Sequence, residues 1–557
     1  MSATKITAQI PDTLLGQEQT IYLYVANPQP AGGTASFTEQ VVGGAPFISN
    51  IAPNSIVAGT ASEPIVINGQ NFMSGAKVQW NGAAIPTTFV SSNQLQAQPT
   101  TAELATGGIV QLTVANPAPG TVSQFVNLEV TDPITITVLD LPANDLVWDP
   151  FAQLIYASLP SSYGVNGNSI AVINPATGAV TGYHFAGSEP NKLALDANSK
   201  YLYVGLNGSG SIERFDLPSF TPDISINLGQ TNNALNLAQA IAVSPTNAQL
   251  IAVSLTTSNF CCGGGGSPVE FFSGTSKLAN AISSTTMSQL IFASGTTLYG
   301  YANGTLSQVA VSSTGGTLGQ TWTDMVTGSS ISYSGGLIFG SNGQVFNPSS
   351  GLLLGTFDVS STTYCCNYGT DQILSDSNIN RAFVLGSTPF DFFGITSYNL
   401  TQFTPSVVSS LDELSFNLNS ATISWPIQWS TNGMAFIVSG NTCCTNSSTQ
   451  VVLVQSPTLF LTSTAAKSPV PVSTAMNPAT VTHGTGNFRL TVKGSGFVPG
   501  STITWNGKPA SVSYVNGKQM TVYVPKSQVA APGSATIQVK NPTPGGGKSS
   551  TMTLTVK

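Results

Sequence analysis

The chain has 557 residues, of which only 7% are charged and 41% hydrophobic, with 55 glycines and 34 prolines. That length calls for several domains, and the apolar content with its regular alternation argues against disorder. No apolar run reaches the ~20 residues of a membrane-crossing helix, and two histidines leave little for a histidine-dependent active site.

Charge is unevenly placed. Nine Lys or Arg and no acid follow Ala466, so the net charge of −7 leaves −16 on residues 1–466. The nine cations are spread without a cluster, which reads as a solvated surface and not as a nucleic-acid interface.

Residues 1–43 read as the closing half of a β-domain. TKITAQIPDTLLGQEQTIYLYVANPQPAGGTAS matches the later NQLQAQPTTAELATGGIVQLTVANPAPGTVS. The shared core is Val25-Ala26-Asn27-Pro28 against Val114-Ala115-Asn116-Pro117. The opening MSATKITAQIPD lacks the apolar core of a signal peptide, so the first half of this domain and any export signal are expected upstream. The alternative is that a neighbouring subunit supplies the missing strands, a route to self-assembly.

Residues 44–132 form one complete copy and 467–557 another. Ile67 to Gly75 (INGQNFMSG) with Trp80-Asn81-Gly82 matches Val492 to Gly500 (VKGSGFVPG) with Trp505-Asn506-Gly507, and Val539-Lys540-Asn541-Pro542 closes the last copy. Asn-Gly after an aromatic strand residue is a hairpin turn that accepts positive φ, and the Phe and Trp belong in a core between two sheets.

Residues 133–466 repeat a hairpin of apolar strand, polar turn and apolar strand. Clear copies are LVWDPFAQLIYAS around Asp149, LALDANSKYLYVG around Asp196, IAVSPTNAQLIAVS around Ser244, ILSDSNINRAFVLG around Asp376 and IQWSTNGMAFIVSG around Thr431. Turn to turn the steps are 47, 48, 132 and 55 residues. The long step leaves room for two degenerate copies, Gln289–Leu298 and Ile331–Gly340, which makes seven. A second repeat, Asn174-Pro175-Ala176-Thr177-Gly178 and Asn347-Pro348-Ser349-Ser350-Gly351, marks a later turn of the unit. Four-stranded units that cannot bury both faces alone pack radially, and the spacing suits propeller blades better than an array of sandwiches. Ring closure is expected to use Ile134–Leu139 as the outer strand of the last blade. Pro469 and Pro471 beyond Ala466 cannot serve a central ladder, which ends the ring there and places its start and finish close together.

The G-x-x-F, W-N-G and N-P set resembles the IPT/TIG immunoglobulin-like domains, and the ring resembles the YVTN/NHL class of bacterial propellers. The resemblance implies an all-β chain, a seven-bladed β-propeller flanked by Ig-like sandwiches, of the kind found in secreted and cell-surface bacterial proteins. The domains are then 1–43 (partial), 44–132, 133–466 and 467–557.

All six cysteines are adjacent pairs, Cys261-Cys262, Cys365-Cys366 and Cys443-Cys444. None has metal-ligand spacing, so no metal and no cofactor is expected, and no calcium loop occurs. The first and third doublets fall between strands b and c of blades three and seven. The second falls between strand d of blade five and strand a of blade six. Antiparallel alternation puts all three on one face. Each doublet closes on itself or pairs between loops; both patterns imply an oxidising compartment, and their role is either to stiffen long loops or to border a ligand. Aromatics gather on the same loops: Phe260, Tyr364, Tyr368, Phe390, Phe392, Phe393 and Tyr163, with Asn367 and Asp391 nearby. They either pack under their own loops or offer flat faces to a sugar or a protein.

The expected function is therefore non-catalytic extracellular binding or adhesion. The face bearing Phe260, Cys261, Cys262, Tyr364, Cys365, Cys366, Tyr368, Asp391, Phe392, Cys443 and Cys444 would recognise a glycan or protein partner. The alternatives are a structural subunit of a surface assembly or filament, and a propeller hydrolase or lyase. Against the last, His184 falls on an outer strand and His483 on an Ig-like module, while Asp149, Asp196 and Asp376 read as turn formers.

Overall fold

The computed structural model describes residues 19–28, 32–41, 44–118, 120–258, 268–357, 372–387, 392–401, 405–406, 410–412, 419–430, 432–441, 447–461, 468–498, 500–543 and 545–557, together with Ala8 and Val359. The chain divides into two compact units, Met1–Thr131 and Asp132–Lys557.

In the first unit, Gln19–Ala26 and Thr34–Val41 form a two-stranded antiparallel sheet. It leaves Tyr22, Tyr24 and Phe37 exposed. From Phe47 onward two sheets enclose one core. One sheet is ordered Phe47–Ala52, Ile65–Gln70, Gln94–Ala97, Thr87–Ser91, and the other Ser55–Val57, Val126–Thr131, Gly108–Ala115, Lys77–Trp80, Ala83–Ala84. Alternating residues such as Ile65, Ile67, Val78, Leu112 and Leu128 point inward with Phe72 and Trp80.

The recurring motifs have local causes. Gly69 lies beneath the Phe72 ring and against the Phe47 carbonyl, where a Cβ has no room. Asn81 and Gly82 take φ of 49° and 85°, the hairpin geometry expected of Asn-Gly. Asn116 is a buried hub that donates to the Asn71 carbonyl at 2.8 Å and accepts from the Met73 N–H at 3.2 Å. The C-terminal domain repeats each device with Gly494 under Phe497, Asn506-Gly507 at φ 49° and 77°, and Asn541 donating to the Gly496 carbonyl at 2.6 Å.

The second unit holds, among the described residues, seven antiparallel sheets in series, followed by the two sheets of the C-terminal domain. Strands a to d of blade one are Asp145–Asp149, Leu154–Leu159, Ser169–Asn174 and Ala179–Phe185. Blade seven takes Asn419–Trp429, Gly433–Asn441 and Ser447–Gln455 from the end of the ring and Thr135–Leu139 from its beginning. Thr135 pairs with Gln455 and Leu139 with Val451, so the first strand closes the last blade. The innermost strands touch in cyclic order, and Asp145–Asp149 meets Asn419–Trp429 to complete the ring. The fold is a seven-bladed β-propeller.

Its core is seven apolar layers, one between each pair of neighbouring blades. Along strand b of blade one, Tyr156 joins blade two through Leu202 and Val204, whereas Ile155 and Ala157 join blade seven through Ala435 and Ile437. Burial on both faces explains why the b strands read as unbroken apolar runs. The turns behave as their residues require. Asp149 Oδ1 accepts the N–H of Phe151 and of Ala152, each at 2.9 Å, and Asp196 Oδ1 accepts those of Lys200 and Tyr201 at 2.7 and 2.6 Å. Asn174 and Asn347 organise the c–d turns by accepting the N–H two residues on, at 3.0 Å each, with Gly178 and Gly351 at positive φ. Arg381, buried in blade six, donates to the Leu461 carbonyl at 2.8 Å and senses the charge of Asp132. One guanidinium thus relates the chain entering the ring to the chain leaving it.

Candidate functional site

Strand a of every blade lines the ring's centre. A cavity of about 400 Å3 lies there, walled by residues of all seven innermost strands, within the about 300–1,000 Å3 usual for small-molecule sites. It sits where Asp145, Gln289, Ile331 and Gln372 begin their strands.

Most of the polar wall holds blade to blade. Ser330, Ser332 and Ser334 hydroxyls of blade five accept the N–H groups of Ile373, Ser375 and Ser377 of blade six at 3.2, 3.0 and 2.8 Å, each pair 43 residues apart. Gln289 receives the Ile331 N–H at 3.0 Å and donates to the Ser329 carbonyl at 2.7 Å. Asp145 accepts from Leu146 at 3.0 Å and from Leu193, in blade two, at 2.9 Å.

Three wall residues stand apart, and each occupies a break in its strand's ladder. The pairing skips between Pro190 and Leu193, between Ala238 and Ala240, and between Ser424 and Ile427. These breaks carry Lys192, Gln239 and Trp425 into the channel, as bulges re-aim side chains. Trp425 has φ of 50°, a left-handed conformation that is costly for a bulky residue and more so before a proline, here Pro426. It remains 39% exposed. Lys192 Nζ lies 3.3 Å from the centroid of the Trp425 ring. Burial pushes the Lys192 ammonium below its ordinary pKa, while the Asp145 carboxylate pulls it back up. Burial also raises Asp145, opposed by Lys192 and by the Leu193 and Leu146 N–H groups. Among the described residues lining the cavity, Lys192 is the one cation and Asp145 the one carboxylate.

A second cavity of about 370 Å3 lies where blades four and five meet the C-terminal domain, with Met325 and Leu352 on one side and Trp505, Pro509 and Tyr523 on the other. The outer strand Leu352–Thr356 packs on Ser511–Asn516 there.

Of the site residues expected from sequence, Phe260, Cys261, Cys262, Tyr364, Cys365, Cys366, Tyr368, Asp391, Cys443 and Cys444 lie outside the described residues, as do Phe390 and Asn367. Phe392 begins strand c of blade six, Phe392–Asn399, with Phe393 next to it. Tyr163 lies against Tyr183 at 6.3 Å between ring centroids, so it packs on its own blade. The strands leading into the three cysteine segments end at Thr257, Thr356 and Asn441. In an a–d meander those b and d ends share the rim at which strand a begins. His184 lies on outer strand d of blade one, stacked 4.0 Å from Phe220, and His483 lies in the C-terminal domain, where its N–H meets the Lys557 carbonyl. Sequence reasoning passed over Lys192, Gln239 and Trp425. The Trp425-Pro426 pair inside an otherwise regular strand was the available signal, since proline within a central strand marks a bulge.

The IPT/TIG domain model matches residues 46–130 and 471–556, so the chain carries an IPT/TIG domain on each side of its propeller. A search of curated proteins finds no match. Among solved structures, the chain is similar to U3-55K (10% identity, 57% of this chain and 98% of that one, TM-score 0.41). It is also similar to the Cps50 (Swd1) β-propeller domain of Myceliophteria thermophila (11%, 58% and 99%, TM-score 0.41). A third is hydrazine synthase of Kuenenia stuttgartiensis (14%, 54% and 77%, TM-score 0.31).

Proposed function

We propose that this chain is a non-catalytic extracellular binding protein of the adhesion type, whose propeller channel receives a glycan and whose IPT/TIG domains act as spacers. The observation that carries the reading is the channel wall, to which every blade contributes and which combines neutral amides and hydroxyls with Trp425, 39% exposed beside the Lys192 ammonium. An aromatic plane with neutral hydrogen-bonding neighbours suits a sugar ring. The shared rim of the strand ends leading into the cysteine segments supports recognition on this side. A glycosidase needs two carboxyl groups across its cleft, whereas Asp145, the one carboxylate among the described residues of this wall, is held by two backbone N–H groups.

Screening the full chain and its Trp425→Ala variant on a glycan array tests the reading. Glycan binding that drops at least tenfold in the variant supports it. Glycan binding indifferent to the substitution, or no glycan bound by the parent chain, removes it.

A second reading, a structural subunit of a surface assembly, draws on Tyr22, Tyr24 and Phe37 exposed on the N-terminal hairpin. Sedimentation showing only monomers across the accessible concentration range counts against it.

A further inference from the structure

Lys192 is unusual for a half-buried cation. It carries three N–H donors, yet among the described residues no carboxylate lies within salt-bridge distance of it, and its neighbours are a π face and an acid already engaged by backbone. Buried charges are normally paired. The arrangement persists on three breaks in regular pairing and on a tryptophan held at positive φ before a proline. None of these features is needed to close the ring, because blades five and six close on regular a strands. Strain of this kind collects at ligand sites.

Resting on the glycan-binding reading above, we infer that the ligand is an acidic sugar, a pyranose ring bearing a carboxylate, with the carboxylate received by Lys192 and the ring laid against Trp425. A carboxylate supplies the acceptors that the ammonium lacks, and a charge-assisted pair inside a partly enclosed channel is stronger than one on the surface. A pyranose offers Trp425 an apolar C–H face and offers hydroxyls to Gln239 and Gln372, both on the wall. Asp145 partly offsets the effect of burial on the amine while its own oxygens accept from the Leu146 and Leu193 N–H groups.

Titration calorimetry and tryptophan fluorescence with short oligogalacturonides, their neutral galactose counterparts and acetate test the assignment on the full chain. We expect the uronates to bind at least tenfold more tightly than the neutral sugars, acetate to bind far more weakly, and Lys192→Met to abolish the preference. Lys192→Arg, which restores the charge, should recover part of it. A uronate affinity unchanged in Lys192→Met overturns the inference, and so does acetate binding as well as the uronate. Neutral sugars that bind in a Trp425-dependent way with no uronate preference overturn the inference and leave the glycan-binding reading standing. If neither class binds, both fall.

Discussion

Lys192 of blade two reaches past blade one to place its ammonium 3.3 Å from the centre of the Trp425 ring in blade seven. The contact couples two blades that share no ladder, and it exists because both strands break their pairing at that level.

Substituting this lysine should not harm the fold. A cation–π contact contributes ~1–2 kcal/mol, but burial has driven the ammonium pKa down in spite of it and of Asp145, so desolvation outweighs the attractions at neutral pH. Lys192→Met is expected to change the propeller's stability by no more than about 1 kcal/mol, because the relieved desolvation of the ammonium is offset by the loss of its attraction for Asp145. The pH dependence follows. A lysine depressed in the folded state binds fewer protons there than in the unfolded chain, so stability rises as pH climbs from the folded pKa toward 10.5 and is lost on the way down. Thermal melts of parent and variant across that window should converge at the alkaline end.

The serine ladder between blades five and six makes a separate prediction. Ser332→Ala removes the acceptor for the Ser375 N–H and the contact with the Ser375 hydroxyl at 2.8 Å, and should cost ~1–2 kcal/mol. Hydrogen exchange should speed selectively at Ser375, and an unchanged rate there would show that the bond contributes nothing.

Asp149 links its turn to the blade by accepting the Tyr156 hydroxyl at 2.9 Å as well as two turn N–H groups. Asp149→Ala should therefore lower stability by ~2–4 kcal/mol, and Tyr156→Phe by ~1 kcal/mol. Equal losses from both changes, measured by denaturant titration, would contradict the turn's dominance.

His184 stacks on Phe220, and burial lowers its pKa. Its contribution to stability is present in full above pH 6.5 and is lost as pH falls through the lower folded value. Melts between pH 7.5 and pH 5 should show a decline that His184→Phe flattens.

Gly69 and Gly494 occupy equivalent positions beneath Phe72 and Phe497, and an added Cβ at either meets a backbone carbonyl and the ring. Gly69→Ala and Gly494→Ala should each destabilise their own domain by ~3 kcal/mol or more and leave the propeller transition in place, as calorimetry of the separate transitions can show.

The repeat was legible from the chain because local chemistry enforces it. Strand b buries both faces, so Leu154–Leu159 and Tyr201–Leu206 read as apolar runs. Asp149, Asp196 and Asn174 shape turns through hydrogen bonds to residues only two to five positions away. The Gly-x-x-Phe and Trp-Asn-Gly motifs likewise meet steric demands within one domain. Even the closing strand, Thr135–Leu139, could be inferred from the count of blades.

The channel was not legible in the same way. Lys192, Gln239 and Trp425 are far apart along the chain and share no motif, and each reaches the axis through a break in pairing that depends on where neighbouring strands lie. Composition, periodicity and turn chemistry set by nearest neighbours determined the ring and its flanking sandwiches. Only the closed circle of seven innermost strands decided which side chains face one another across it, because that proximity is made by ring closure and leaves no trace in spacing.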